Sequence, residues 1–199
     1  MKPVAVSLDA DHRYWADNGK TRWEIPGVSF LLDWKFGKNQ FFKKGSAHRG
    51  TMAHRACTLD DQGILDESTV APELKGYLAA WRKFKSEKAV EVLDTEFIVY
   101  DLSLGYAGTA DRLIKWNRSS RFCVVDLKSG VKTDTHWLQL GAYVRASKDW
   151  RALDGLIVYL KDTGNFTLDF YEGKRILEAV HYWEAIPREY EKSLTEIPW

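Results

Sequence analysis

Cysteine is nearly absent from this 199-residue chain, which holds only Cys57 and Cys123. Two thiols cannot build a disulfide framework, a cysteine-only zinc centre or the four-cysteine ligand set of an iron–sulfur cluster. No apolar run approaches the ~18–20 residues that cross a bilayer, so no membrane partner is expected. The opening run Met1-Lys2-Pro3-Val4-Ala5-Val6-Ser7-Leu8 lacks the apolar stretch of a secretory signal. There is no Gly-x-x-x-x-Gly-Lys-(Ser/Thr) loop to bind ATP, and Ser7, Ser29 and Ser129 lack the Gly-x-Ser-x-Gly setting of a serine hydrolase. Nor does one sign of charge dominate. Twenty-nine Lys and Arg face 28 Asp and Glu, a net charge of +1. That balance excludes a grip on polyanions by bulk charge and leaves room for a local basic patch. Repeats and low-complexity segments are also missing. A reducing, cytoplasmic setting and one domain over residues 1–199 are the expectations.

What the chain does have is a 45% hydrophobic and 14% aromatic composition, enough for a substantial core. Arg13–Trp15 and Thr21–Ile25 read as strands, followed by a short helical piece over Val28–Asp33. Trp34 to Leu59 carries Lys35, Lys38, Lys43, Lys44, Arg49 and Arg55 with no acid, as a backbone-cradling patch or as a solvated helix face. Trp34, Phe36, Phe41 and Phe42 interleave with those cations, which suits stacked bases or a core-lining stretch. Helices are expected over Gly50–Thr58 and Glu73–Lys88, the second with Leu74, Tyr77, Leu78, Trp81 and Phe84 on one face. The period then changes to that of strands over Val90–Tyr100, Tyr106–Trp116 and Arg121–Lys128. A helix over Thr135–Ser147, strands over Gly155–Lys161 and Phe166–Tyr171, and an amphipathic helix over Glu172–Leu194 complete the chain. The order implies an α/β (α+β) fold, a central mixed sheet flanked by helices in the order αβββαβ.

Chemistry concentrates in Gly108-Thr109-Ala110-Asp111-Arg112 and in Asp126-Leu127-Lys128, fifteen residues beyond Asp111. Asp111 interrupts an otherwise apolar strand, and Asp126 directly follows Val124-Val125. Two carboxylates from neighbouring strands repel unless a cation lies between them, and an oxygen-rich site of this kind suits Mg²⁺ or Mn²⁺. Strand alternation puts Asp126 and Lys128 on one face and Leu127 on the other, with the Leu127 carbonyl a further oxygen ligand. The amine can orient or deprotonate a water and balance charge developing on a phosphoryl group. An Asp-x-Lys tripeptide by itself is more often a surface ion pair worth ~0–1 kcal/mol, so the surrounding pattern decides.

That pattern is Gly105-Tyr106-Ala107-Gly108-Thr109-Ala110-Asp111-Arg112, then Val124-Val125-Asp126-Leu127-Lys128-Ser129-Gly130, then Gln139-Leu140-Gly141-Ala142-Tyr143, with Arg49-Gly50-Thr51-Met52-Ala53-His54 upstream. It resembles the PD-(D/E)xK nuclease superfamily, and within it the RecB-like exonuclease branch with its small phage and prophage nucleases. The likeness spans roughly residues 12–159. It implies a restriction-endonuclease-like core, decorated by an N-terminal hairpin and basic segment (about 1–49) and a C-terminal helix (about 172–194).

The resemblance implies Asp111, Asp126 and Lys128 as catalytic residues. His54, Asp111, Asp126 and the Leu127 carbonyl would be ligands for one or two Mg²⁺ or Mn²⁺. The alternative for His54 is a helix histidine holding a backbone carbonyl or phosphate. Gln139 and Tyr143 would order Lys128 or touch DNA backbone, or else form a satisfied buried pair. Glu96 would lend support from behind the ligands or be a plain surface acid. Relatives often carry a glutamate four residues after the helix histidine, where this chain has Thr58. DNA ends, single- or double-stranded, are the implied partner, with recombination or replication proteins and a homo-oligomer as further options. The implied activity is a DNA exonuclease leaving 5′-phosphates, in a bacterium or a phage-infected host. A structure-selective or site-specific endonuclease and a non-catalytic nucleic-acid-binding module are the alternatives.

Overall fold

The computed structural model describes residues 3–37, 46–117, 121–149, 151 and 153–195. The first elements are the strands β1 (Ala5–Leu8), β2 (Tyr14–Asp17) and β3 (Arg22–Ile25), paired antiparallel in that order. β1 was not expected, because four residues with one partly covered face leave little trace of alternation. Pro26-Gly27 ends β3, and α1 (Val28–Phe36) outlasts its expected end by three residues, to Gly37 at φ 79°. Trp34 and Phe36 do not line the core: they are 39% and 53% exposed. Phe41, Phe42, Lys38, Lys43 and Lys44 lie outside the described residues.

α2 (Ser46–Asp61) is longer than expected at both ends. Its terminal Asp60 and Asp61 oppose the helix dipole, which is why they read as the start of a loop. Cations from elsewhere offset them: Arg82 and Lys85 reach Asp60, and Lys85 and Arg112 reach Asp61. α3 (Pro72–Lys88) starts with proline in its first turn and ends at Ala89 in the left-handed region, and its expected apolar face is buried.

The second sheet holds β4 (Val90–Asp101), β5 (Tyr106–Trp116), β6 (Phe122–Lys128), β7 (Leu153–Leu160) and β8 (Phe166–Tyr171) in sequence order. β6 and β7 are parallel, joined across one face by α4 (His136–Ala146), and the other neighbours are antiparallel. This five-stranded mixed sheet with helices on both faces, and the run α3-β4-β5-β6-α4-β7, match the architecture expected from the sequence. Every residue of β7 is buried: Gly155–Leu160 is an unbroken apolar run, and the buried Asp154 is ion-paired with Arg121.

Two apolar layers sandwich the sheet. α1, α4 and α5 (Gly173–Thr195) cover one face around Val124, Leu140, Ile157 and Trp183, while α2 and α3 cover the other around Trp81, Phe84, Val125 and Leu156. On α5, Ile176, Val180 and Trp183 are buried, whereas Leu177 is 50% exposed. No helix among the described residues is long and apolar enough to cross a membrane. The small sheet docks on the large one through Ile25, Ala16 and Ala107, and the Ala107 N–H donates to the Pro26 carbonyl at 3.1 Å.

Candidate active site

The β5–β6 ladder runs from Lys115↔Phe122 to Arg112↔Val125 and then opens. One rung further on, the antiparallel register brings Asp111 opposite Asp126, so both carboxylates start from the same point of the sheet. The Asp111 side chain fills the opening: its Oδ2 accepts the Leu127 N–H at 2.6 Å. Its Oδ1 faces Nδ1 of His54, 3.5 Å away, on the passing helix α2. Asp126 is 2% exposed and its two oxygens lie 3.0 and 2.8 Å from Lys128 Nζ. Lys128 Nζ also donates to Gln139 Oε1 at 2.8 Å, and Gln139 Nε2 donates to the Tyr143 hydroxyl at 2.7 Å. His54, Asp111, Asp126, Leu127, Lys128, Gln139 and Tyr143 therefore meet in one pocket.

Glycine makes the closest of these approaches. A Cβ on Gly108 would stand 2.7 Å from the Tyr143 ring, so only glycine lets α4 bring Tyr143 and Gln139 this near β5. On the neighbouring α4–α5 contact, a Cβ on Gly141 would stand 2.5 Å from the Ala179 carbonyl oxygen.

Charge in the pocket is uneven. Burial alone would raise the Asp111 carboxyl, but the facing His54, the Lys128 ammonium and the Leu127 N–H together hold it well below the ordinary carboxylate range. Burial pushes Asp126 the other way, to about 6: Lys128 opposes that rise and Asp111 adds to it. For His54, burial disfavours the charged ring, yet Asp111 outweighs burial and raises its pKa. Asp111 thus favours the protonated ring at His54.

Among the described residues, no three His, Cys, Asp or Glu side chains stand at the spacing of a preformed metal cage. The expected ligands His54, Asp111 and Asp126 are adjacent but already engaged with one another, with Leu127 N–H and with Lys128. Mg²⁺ does not need a cage, being held by one or two carboxylates while keeping several waters and a substrate oxygen. Two neighbouring aspartates fit that mode. Asp126 Oδ2 is buried and faces the Lys128 ammonium at 2.8 Å without a directed hydrogen bond, and it is an oxygen of the kind such an ion would take.

The other expected residues divide. Glu96 belongs to the pocket's outer layer, where its Oε1 accepts from Thr58 Oγ1 at 2.7 Å. Arg49 and Arg55 are exposed on α2, the helix of His54. Lys35 does not join them: it lies on α1 and is ion-paired with Glu189 of α5. His136 packs on Tyr159, and His181 is exposed.

Sequence reasoning overlooked Arg112. The whole residue is buried, and it donates to Asp61 Oδ2 (2.6 Å), to the Asp111 carbonyl (2.6 Å) and to Thr58 Oγ1 (3.0 Å). It also lies over the Trp81 ring at 5.7 Å. It ties the helix of His54 to the strand of Asp111. The signal was present: a cation directly after Asp111 in an apolar strand demands a buried acid, and Asp61 closes α2. Tyr14 was overlooked too: its hydroxyl lies 2.9 Å from Thr109 Oγ1, two residues before Asp111, and makes the small sheet a wall of the pocket.

Neither a protein-family model nor a curated protein matches the chain. Solved structures do resemble it. One is the crystal structure of SSO0001, 17% identical over 79% of this chain and 84% of that one, with a TM-score of 0.37. Another is an alkaline exonuclease (LHK-Exo) from Laribacter hongkongensis, 12% identical over 86% of this chain and 94% of that one, with a TM-score of 0.41. Likenesses of this size do not carry an activity across.

Proposed function

We propose that the protein is a divalent-metal-dependent deoxyribonuclease of the PD-(D/E)xK type, acting as an exonuclease. The observation that carries this reading is the meeting of Asp111, Asp126 and Lys128 at the opened end of the β5–β6 ladder, with Gln139 holding Lys128 in place. Mg²⁺ or Mn²⁺ held by Asp111 and Asp126, with His54 and the Leu127 carbonyl as further donors, would polarise the phosphodiester and acidify a bound water.

The residues of the chain do the rest. Lys128 Nζ, fixed between Asp126 and Gln139, orients the attacking water and meets the negative charge that grows on the phosphoryl oxygens. Water adds to phosphorus, the 3′-oxygen leaves and takes up a proton, and the products are a 5′-phosphate and a 3′-hydroxyl. Arg49 and Arg55 on α2 supply backbone contacts that carry no base information. Such chemistry serves DNA recombination, repair or phage replication.

The test is digestion of 5′- and 3′-labelled linear duplexes and single strands with Mg²⁺ or Mn²⁺, with and without chelator. Chelator-sensitive cleavage that Asp126→Ala abolishes is the expected result. A closed circular DNA left intact identifies an exonuclease, and its cutting an endonuclease. Binding of DNA without any cleavage would reduce the protein to a binding module and overturn the proposal.

A further inference from the structure

We propose that Glu96 is a positioning residue that holds His54 against Asp111 through the Thr58 hydroxyl, and that the left-handed backbone at Glu96 exists to deliver it. The role rests on reading this pocket as the hydrolytic site.

Glu96 lies inside the 12-residue strand β4, yet its φ is +49°. Few residues other than glycine, asparagine and aspartate adopt that region, and a strand interior gives no reason to. The flanking pairs Thr95↔Arg112 and Phe97↔Ala110 put Glu96 directly opposite Asp111. In a regular strand, Thr95 and Glu96 would point to opposite faces. Here both turn to the C-terminal end of α2: Gln62, the residue after the helix, donates from Nε2 to Thr95 Oγ1 at 3.3 Å, and Thr58 Oγ1 donates to Glu96 Oε1 at 2.7 Å. The left-handed residue has turned the carboxylate out of the row it would share with Asp111, where two like charges would face each other.

Thr58 lies one helical turn beyond His54. Its hydroxyl accepts from Arg112 Nη2 at 3.0 Å, and its single proton lies within reach of the His54 carbonyl (3.0 Å) and of Glu96 (2.7 Å). A carboxylate is the stronger acceptor. Glu96 therefore draws the proton away from the His54 carbonyl, a back-bond that otherwise bends a helix. The turn between residues 54 and 58 is held straight, and His54 Nδ1 stays 3.5 Å from Asp111 Oδ1. Backbone strain of this kind persists where the surroundings over-determine it, and the inference runs from the observed outlier to function.

Three variants test it. Glu96→Gly relieves the backbone, so its Tm should rise by about 2–4 °C while kcat falls about tenfold with KM nearly constant. Glu96→Gln keeps an acceptor for Thr58 and should stay within about threefold of wild-type kcat. Thr58→Val removes the hydroxyl and should repeat the loss of the glycine variant. A glycine variant with wild-type kcat would overturn the proposal. So would a glutamine variant as slow as the glycine one, since the charge would then act directly rather than through Thr58. The His54 Cε1–H resonance gives a readout independent of cleavage. It should move in Glu96→Gly and stay in place in Glu96→Gln, and an unmoved resonance in the glycine variant refutes the positioning role. If wild-type protein cuts no DNA, the nuclease reading falls, and this resonance alone still decides the role of Glu96.

Discussion

The Asp111 carboxylate accepts the backbone N–H of Leu127 at 2.6 Å, so a side chain of β5 takes the place that a backbone carbonyl would hold in a continued ladder. The bond fixes the distance between the carboxylate and the Asp126-Leu127-Lys128 segment. Asp111→Asn keeps an acceptor oxygen for that N–H and removes the charge that His54 faces. We expect the fold to survive and DNA cleavage to drop at least about a hundredfold, nearly 3 kcal/mol in activation free energy. Circular dichroism and single-turnover cleavage of the same preparation check both halves.

Gly108 makes a separate contribution to the same geometry. In Gly108→Ala the added methyl would meet the Tyr143 ring at 2.7 Å and the Val28 side chain at 3.0 Å. Tyr143 accepts from Gln139, and Gln139 accepts from Lys128, so the push travels along hydrogen bonds to the amine. A displacement on the order of 1 Å at a reacting group costs about a hundredfold in rate, while overpacking costs about 1–3 kcal/mol in stability. Urea denaturation read beside kcat separates the two. A variant that loses stability but keeps kcat would show that Lys128 does not depend on α4.

How much of this was legible in the sequence differs between elements. Tyr106–Trp116 and Phe166–Tyr171 were read to the residue, because turn-forming segments bound both runs. The convergence of Asp111, Asp126 and Lys128 was legible for the same reason, since alternation fixes the face of every residue in a strand. The ends of α2 were not legible, because its unfavourable terminal acids are neutralised by Arg82, Lys85 and Arg112 from other elements. Nor was the re-aiming of Glu96, which depends on one backbone dihedral that composition does not reveal. The basic stretch from Lys35 onward looked like one patch, yet Lys35 is spent on Glu189 and Arg49 and Arg55 sit on another helix.

Arg112 and Asp61 form an ion pair in which both side chains are almost wholly buried, at 0% and 1% exposure. Arg112→Leu leaves Asp61 with Trp81 Nε1 and Lys85 but without its guanidinium. Removing one partner of a buried pair costs about 3–5 kcal/mol, and the contacts that Asp61 keeps place the expectation near the lower bound. The double change Arg112→Leu with Asp61→Leu should recover a good part of that loss, because no unpaired charge is then left inside. Chemical denaturation of the two variants tests the pair, and a double variant no better than the single one would mean that packing, not charge, sets the cost.

Asp126 gives the pH dependence. Its folded-state pKa is raised from 3.8 to about 6, chiefly by burial. Between those values the folded protein binds more protons at this site than the unfolded chain, so stability falls as pH rises through the window. Below it, both states hold the proton and the site contributes nothing. Above about pH 6 the full penalty applies, on the order of 2–3 kcal/mol by the usual conversion. Asp126→Asn should therefore be more stable than wild type at pH 7.5, with chelator present, and nearly equal to it at pH 4. Millimolar Mg²⁺ should narrow the gap at pH 7.5 by stabilising wild type alone, because binding to the folded state adds to its stability. Thermal melts at the two pH values, with chelator and with Mg²⁺, measure all of this. A wild-type Tm that Mg²⁺ does not raise, or a variant no more stable at pH 7.5 than at pH 4 relative to wild type, would show that the buried carboxylate is not waiting for a cation.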